Sequence, residues 1–125
     1  MNCPVCKSPF IVVERNKIEV DYCINCKGIW LDNGEMELLS EILGLNSSIP
    51  NPYSLPQVQT KENLLKCPYC RMIMKKVELN GVIVDVCANE HGVWFDKGEL
   101  SKVLNHDKTA DYGKVVKFLS EVFKK

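Results

Sequence analysis

Seven cysteines in 125 residues are the chemically loudest feature of this chain. Six of them form three pairs with two residues between: Cys3 and Cys6, Cys23 and Cys26, Cys67 and Cys70. Cys87 stands alone, followed by Glu90 and His91. An odd number of thiols cannot pair completely within one chain, which argues against a disulfide framework. Thiols that remain reduced, at this spacing, point to metal chemistry. Two cysteines three apart on a tight turn present both sulfurs to one ion, and a returning hairpin brings a second pair. Together they close a tetrahedron of the kind zinc prefers. Cys3, Cys6, Cys23 and Cys26 have that spacing. Iron held by four cysteines is the chemical rival. The "CPYC" stretch also has the spacing of a thiol–disulfide redox site, but such a site needs a strand before it and a helix after it. Here a hairpin follows, so redox catalysis is disfavoured.

The chain is an internal repeat. A shift of 64 positions, without gaps, pairs Cys3 with Cys67, Cys6 with Cys70, Cys23 with Cys87, Gly28 with Gly92, Trp30 with Trp94, Asp32 with Asp96, and Glu35 with Glu99. The partner of Cys26 is Glu90, and His91 is next to it. The second set of candidate ligands is therefore Cys67, Cys70, Cys87 and His91, because structural zinc sites are built mostly from cysteine and histidine. Glu90 is the alternative fourth ligand. His106 reads as a surface or helix-end residue.

The elements that must position these residues follow from pattern. "MKKVEL" and "VIVDVC" flank Asn80-Gly81, a strong hairpin signal because both residues accept positive φ. Val82, Val84 and Val86 alternate onto one face, as do Ile18, Val20 and Tyr22 in the first copy. There Asn16-Lys17 holds the turn, and Lys17 predicts a less regular one. Each second ligand group is followed by Trp and then by Asp-x-x-Glu, a capping-box pattern that predicts Asp32 and Asp96 as helix N-caps. Met36, Leu39 and Leu43 share a helical face closed by Gly44, and Leu100, Val103 and Leu104 form its counterpart. Trp30 and Trp94 read as core, each covering its own hairpin and metal. The fold class expected is small α+β and metal-stabilised: two tandem zinc ribbons of Cys-pair turns plus β-hairpin, each with a short α-helix, then a C-terminal amphipathic helix. The ribbons occupy residues 1–45 and 66–106, and a Pro/Ser/Asn-rich linker occupies 46–65. Tyr53, Leu55 and Val58 are positioned to pin that linker to a module. In the tail, 107–125, an amphipathic helix is expected over about 109–123, with Tyr112, Val115, Leu119 and Val122 on one stripe.

These residues resemble the small zinc-ribbon family known as the transcription factor IIB-type zinc-finger domain. Its pattern is C-P-x-C, a hairpin, then C-x-x-C-x-G-x-W-[LF]-D-x-G-E-[LM]. The resemblance covers about residues 2–40 and 66–104, and the second copy departs from it at Glu90-His91. It implies a ribbon that binds zinc, in proteins often of unassigned role.

Charge narrows the function. Lys and Arg total 16, as do Asp and Glu, for a net charge of zero. Residues 1–45 carry four basic and seven acidic side chains, a poor match to phosphate backbone. The expectation is a non-enzymatic adaptor that contacts a protein partner, with a possible link to transcription. Nucleic-acid binding is the alternative, drawing on Arg71, Lys75 and Lys76 and on tail lysines 108, 114, 117, 124 and 125. A redox or metal-dependent enzyme is the least favoured reading. Two structural Zn2+ per chain, no membrane segment, a cytoplasmic location and a possible homodimer through the tail complete the expectation. Each module is expected to depend on its own metal, so that Cys23→Ser unfolds the first and spares the second. Purified protein should contain two zinc ions per chain, and His91→Ala should halve that content by metal analysis. An unchanged zinc content would remove His91 as a ligand.

Overall fold

A computed structural model describes residues 1–15, 17–42 and 49–104. The first repeat forms β1 (Ile11–Arg15), β2 (Ile18–Tyr22), β3 (Ile29–Asp32) and α1 (Glu35–Ile42). The second forms β4 (Lys75–Leu79), β5 (Val82–Val86), β6 (Gly92–Phe95) and α2 (Glu99–Leu104). The C-terminal amphipathic helix, His106, Leu43 and Gly44 lie outside the described residues.

In both hairpins the last strand pair encloses two residues. Leu79 faces Val82 across Asn80-Gly81, where φ is +48° and +81°. Arg15 faces Ile18 in the first copy, and Lys17 takes φ +69°. The expected irregularity is absent from the pairing: each hairpin has five pairs in the same register. The right-handed strand twist demands positive φ in so short a turn, and the register imposes it on Lys17 despite the steric cost.

The two repeats share one sheet. Its order is β1-β2-β3-β6-β5-β4, antiparallel throughout, and the seam is the pair β3–β6. Trp30 lies opposite Trp94 at the centre of that seam, with Ile29 opposite Phe95 and Leu31 opposite Val93. The repeats are thus related by an approximate two-fold axis through the tryptophan pair. Strand side chains alternate between faces. One face carries Val13, Ile18, Val20, Val77, Leu79, Val84 and Val86, buried beneath Met36 and Leu39 of α1 and Leu100, Val103 and Leu104 of α2. These are the helical faces predicted from spacing.

The opposite face carries one row across all six strands: Val12, Asp21, Trp30, Trp94, Asp85 and Lys76. Both indoles are fully buried. Trp30 Nε1 donates to Asp32 Oδ1 at 2.8 Å, and Trp94 Nε1 donates to Asp96 Oδ1 at 2.9 Å. Residues two apart in a strand share a face, so Trp-x-Asp supplies the partner that a buried indole N–H needs. This revises the capping reading. The Glu half of the box forms in the second repeat, where the Asp96 N–H donates to Glu99 Oε1 at 2.8 Å. The aspartate side chains are engaged by the indoles. Burial pushes Glu99 up to about 7, with the carboxylates of Asp96, Glu62 and Asp85 adding to it against the pull of that N–H.

At one end of the row Lys76 and Asp85 form a buried ion pair, 2.7 Å from Nζ to Oδ1, with exposures of 2% and 1%. Burial pushes Asp85 up to about 6 in spite of Lys76. Burial opposes the Lys76 charge too, but Asp85 and Glu62 outweigh it and its pKa is raised. The linker seals this end. Val58 N–H donates to Lys76 O at 2.9 Å, Lys75 Nζ donates to the carbonyls of Tyr53 and Leu55 at 3.1 and 3.4 Å, and Glu62 lies 3.3 Å from Lys76. Ile49, Tyr53 and Leu55 pack on the core beside it. Lys76→Met should cost about 3–5 kcal/mol, because it strands a buried carboxylate. The double change Lys76→Met, Asp85→Leu should recover most of that loss in denaturant unfolding of zinc-loaded protein. Equal loss in the single and double variants would refute the coupling.

Candidate metal centres

Two groups of four side chains converge. Cys3, Cys6, Cys23 and Cys26 form the first, and Cys67, Cys70, Cys87 and His91 form the second; within each, all donor atoms lie within 4.8 Å of one another. All seven cysteines are free thiols. Cys6 Sγ and Cys23 Sγ are 3.5 Å apart, Cys70 Sγ and Cys87 Sγ are 3.7 Å apart, and Cys87 Sγ is 3.5 Å from His91 Nδ1. A tetrahedron with Zn–S bonds of about 2.3 Å has edges of about 3.8 Å, and a mixed S–N edge is about 3.5 Å. The separations therefore fit zinc and are far too long for disulfides, whose S–S length is about 2.05 Å. The two clusters fit two structural zinc ions.

Each ligand pair sits on a turn of common design. The N–H of the first cysteine donates to the carbonyl five residues on: Cys3 to Ser8, Cys23 to Gly28, Cys67 to Met72 and Cys87 to Gly92, at 2.8–3.1 Å. Backbone N–H groups then point at that cysteine's sulfur, among them Cys26, Tyr69 and Asn89, each at 3.3 Å. In three turns the next bond closes at the fourth residue, where Lys7, Lys27 and Arg71 have φ between +65° and +67°. These three basic residues each directly follow a second cysteine. Their cations offset the negative charge that several thiolates leave on a divalent ion.

The fourth turn is one residue tighter. Glu90 N–H donates to Cys87 O at 3.0 Å, and Glu90 itself takes φ +59°. The left-handed position has moved one residue back, from the place of Lys27 to the place of Cys26. That releases His91 from the turn and delivers its Nδ1 to the cluster. It also turns Glu90 to the surface, so the structure brings together the favoured donor set and leaves out the glutamate alternative. Tyr69 stacks on the imidazole, with ring centres 5.0 Å apart.

Burial divides the donors. Cys3, Cys23, Cys67 and Cys87 are buried, while Cys6, Cys26, Cys70 and His91 are half-exposed. Burial pushes the Cys3 thiol up and the Cys67 thiol up to about 12. Hydrogen bonds from Ser8 and Asn25 hold Cys6 down near 5. The Met72 backbone N–H and the Asn89 amide hold Cys70 near 6. Each metal-free cluster thus contains a sulfur disposed to ionise first beside one that resists.

The shielding of the clusters is crossed between repeats. A Cβ built on Gly28 would overlap Trp94 Cζ2 and Cη2, and one on Gly92 would overlap Trp30 Cζ2. Each glycine ends a metal turn, so each indole lies against the metal turn of the other repeat. Phe10 of the first repeat stacks on Trp94, with ring centres 5.9 Å apart. Both tryptophans shield metal ligands as expected, packed in one buried cluster with Cys3, Cys23, Cys67 and Cys87, and antiparallel pairing of β3 with β6 also throws each ring across the seam onto the other turn. Sequence reading missed this use of Gly28 and Gly92, although the Gly-x-Trp spacing shared by both copies was its visible signal.

The family model described as Transcription factor zinc-finger matches residues 2–41 and 66–106, well over half of the chain. The chain belongs to this family. Two tandem copies of the transcription factor zinc-finger are therefore present, and the fold around them is a small α+β domain with two metal clusters. Neither the curated proteins nor the solved structures contain a significant match to the chain.

Crossed shielding argues for coupling between the two modules rather than the expected independence. With Cys23→Ser, zinc affinity at the second cluster should fall by about tenfold or more, as when supporting contacts around a metal site are lost. Chelator competition with native mass spectrometry measures this. Undisturbed retention of the second zinc would show that the indoles do not couple the sites.

Proposed function

We propose that this chain is a non-enzymatic zinc-binding recognition module that acts through protein–protein contacts. The observation that carries the reading is closure of both clusters. Four protein donors complete each tetrahedron, so no position is left for a water or substrate to be activated. When bound, zinc supplies a crosslink, and its binding energy becomes folding energy. Of the four carboxylates that follow the tryptophans, Asp32 and Asp96 accept from the indoles and Glu99 accepts from a backbone N–H, while Glu35 Oε2 is buried with no hydrogen-bond partner among the described residues. The turns hold apolar side chains in solvent, including Val5, Ile24, Tyr69 and Met72, each about half exposed or more. Rigid apolar points on a metal-fixed backbone suit contact with another protein.

The nucleic-acid alternative loses part of its basis. Of the three basic residues it draws on in the second repeat, Lys76 is buried with Asp85, and Lys75 is bonded to two linker carbonyls. Arg71 remains, and the tail lysines lie outside the described residues. No described helix is long and apolar enough to cross a membrane. We propose a reducing compartment, the cytoplasm, as its location, a reading that the metal-ligand spacing of the cysteines supports. The link to transcription rests on the family description, and tail-mediated dimerisation rests on the sequence pattern alone. In a gel shift at low salt, neither duplex nor single-stranded DNA or RNA should be retarded. Retardation that weakens steeply with added salt would replace this reading with nucleic-acid binding.

A further inference from the structure

The two outer edges of the sheet are equivalent in the repeat and are treated differently. β4 is covered: Val58 of the linker donates to Lys76 O, Lys75 holds two linker carbonyls, and Glu62 neutralises Lys76. At the other edge, Val12 occupies the place of Lys76 and Ile11 that of Lys75. Val12 faces Asp21 in the register in which Lys76 faces Asp85, so its N–H and C=O also point away from the sheet. Among the described residues no backbone hydrogen bond outside the strands reaches Val12. Its side chain is 60% exposed, against 2% for Lys76. Asp21, the counterpart of Asp85, has no ion pair among the described residues; burial pushes its pKa up to about 6, and Asp32 and Glu19 add to the shift.

We propose that the outer edge of β1 is a docking site for an extended segment of a protein partner, apolar where it meets Val12 and basic where it reaches Asp21. The inference rests on the protein-recognition reading above and names the seat and the chemistry of the partner. The template is the molecule's own linker on β4. An extended chain adds main-chain hydrogen bonds to an open edge, and side chains set specificity. On β4 the edge supplies the cation, Lys76, and the linker supplies the anion, Glu62. On β1 the edge supplies Asp21 under an apolar Val12, so the complementary segment must bring the cation. The local charge is acidic on balance: Asp32, Glu19 and Glu35 act on Asp21 as like charges, against the N-terminal ammonium alone.

The test titrates zinc-loaded, isotope-labelled full chain with a synthetic peptide of residues 53–62 carrying Glu62→Lys. The intact linker keeps its seat on β4 by its high local concentration. Amide shifts should centre on Ile11–Val13 and Asp21. The unsubstituted peptide should bind about tenfold more weakly or worse, because its Glu62 meets the Asp21 charge. Val12→Pro should weaken binding and preserve the fold, because it removes an outward N–H but keeps the carbonyl that, like that of Lys76, accepts from an added chain. Val12→Lys, which copies the second repeat, should abolish it by supplying the cation internally. Shifts that avoid β1, or that survive both substitutions, would overturn the proposal. So would slow hydrogen exchange of the Val12 amide in the free protein, which would mean that another part of the chain already holds the edge. Concentration-dependent shifts of β1 without peptide would do the same, because a second copy would then be the occupant. No binding here together with no nucleic acid retarded would remove only this seat. Retarded nucleic acid would remove the recognition reading itself.

Discussion

The structure hangs on the antiparallel pairing of two short strands, Ile29–Asp32 and Gly92–Phe95. Alone, a ribbon of about forty residues offers one three-stranded sheet and one short helix, too little buried area for a secure fold. Pairing at the seam converts two such sheets into one of six strands, covered on one face by both helices. The same pairing puts Trp30 against Trp94 and sends each indole over the metal turn of the other half. Glycine at positions 28 and 92 follows, because any side chain there would occupy the space of a ring. Aspartate at 32 and 96 follows as well, because each buried indole needs an acceptor within its own strand.

Electrostatics explains how the second half differs from the first. A site of three thiolates and one imidazole carries one less negative charge than a site of four thiolates. The first cluster has two basic residues in left-handed turns after its cysteine pairs, Lys7 and Lys27, and the second has only Arg71. In the second half the place of Lys27 has become His91, a ligand. The exchange of cysteine for histidine and the shift by one residue are therefore a single backbone event, the relocation of positive φ to Glu90. At the outer ends of the tryptophan row a second divergence has the opposite sense. Lys76 and Glu62 complete a charge row that the first half leaves open at Val12 and Asp21.

The ligands and the local elements were legible because they obey short-range rules. Cysteine spacing, Asn-Gly in a hairpin, alternation along Val82–Val86 and the helical stripe of Leu100, Val103 and Leu104 each depend on neighbours within a few residues. Val58, Tyr53 and Leu55 were also legible as anchors, because apolar residues in a proline-rich stretch have little else to do. Two readings failed for one reason. Asp32 and Asp96 looked like helix caps because the capping box is local, but the indole two residues earlier competes for the same carboxylate. Lys75 and Lys76 looked like part of a basic surface because charge in a sequence carries no record of which side chain will be buried.

By itself the sequence determined the repeat, the metal donors, the hairpins and the helix faces, since each follows from residue type and spacing along a few bonds. Only the tertiary structure decided that the two ribbons share a sheet, that each tryptophan guards the other's metal turn, and that the linker covers one edge while no described residue covers its twin. Those outcomes depend on which strand meets which across the linker. Backbone hydrogen bonds at a sheet edge are the same whatever the sequence, so residue spacing cannot choose the partner. The choice falls to the packing of large rings against glycine and to the burial of a charged pair, which exist only once the halves have met.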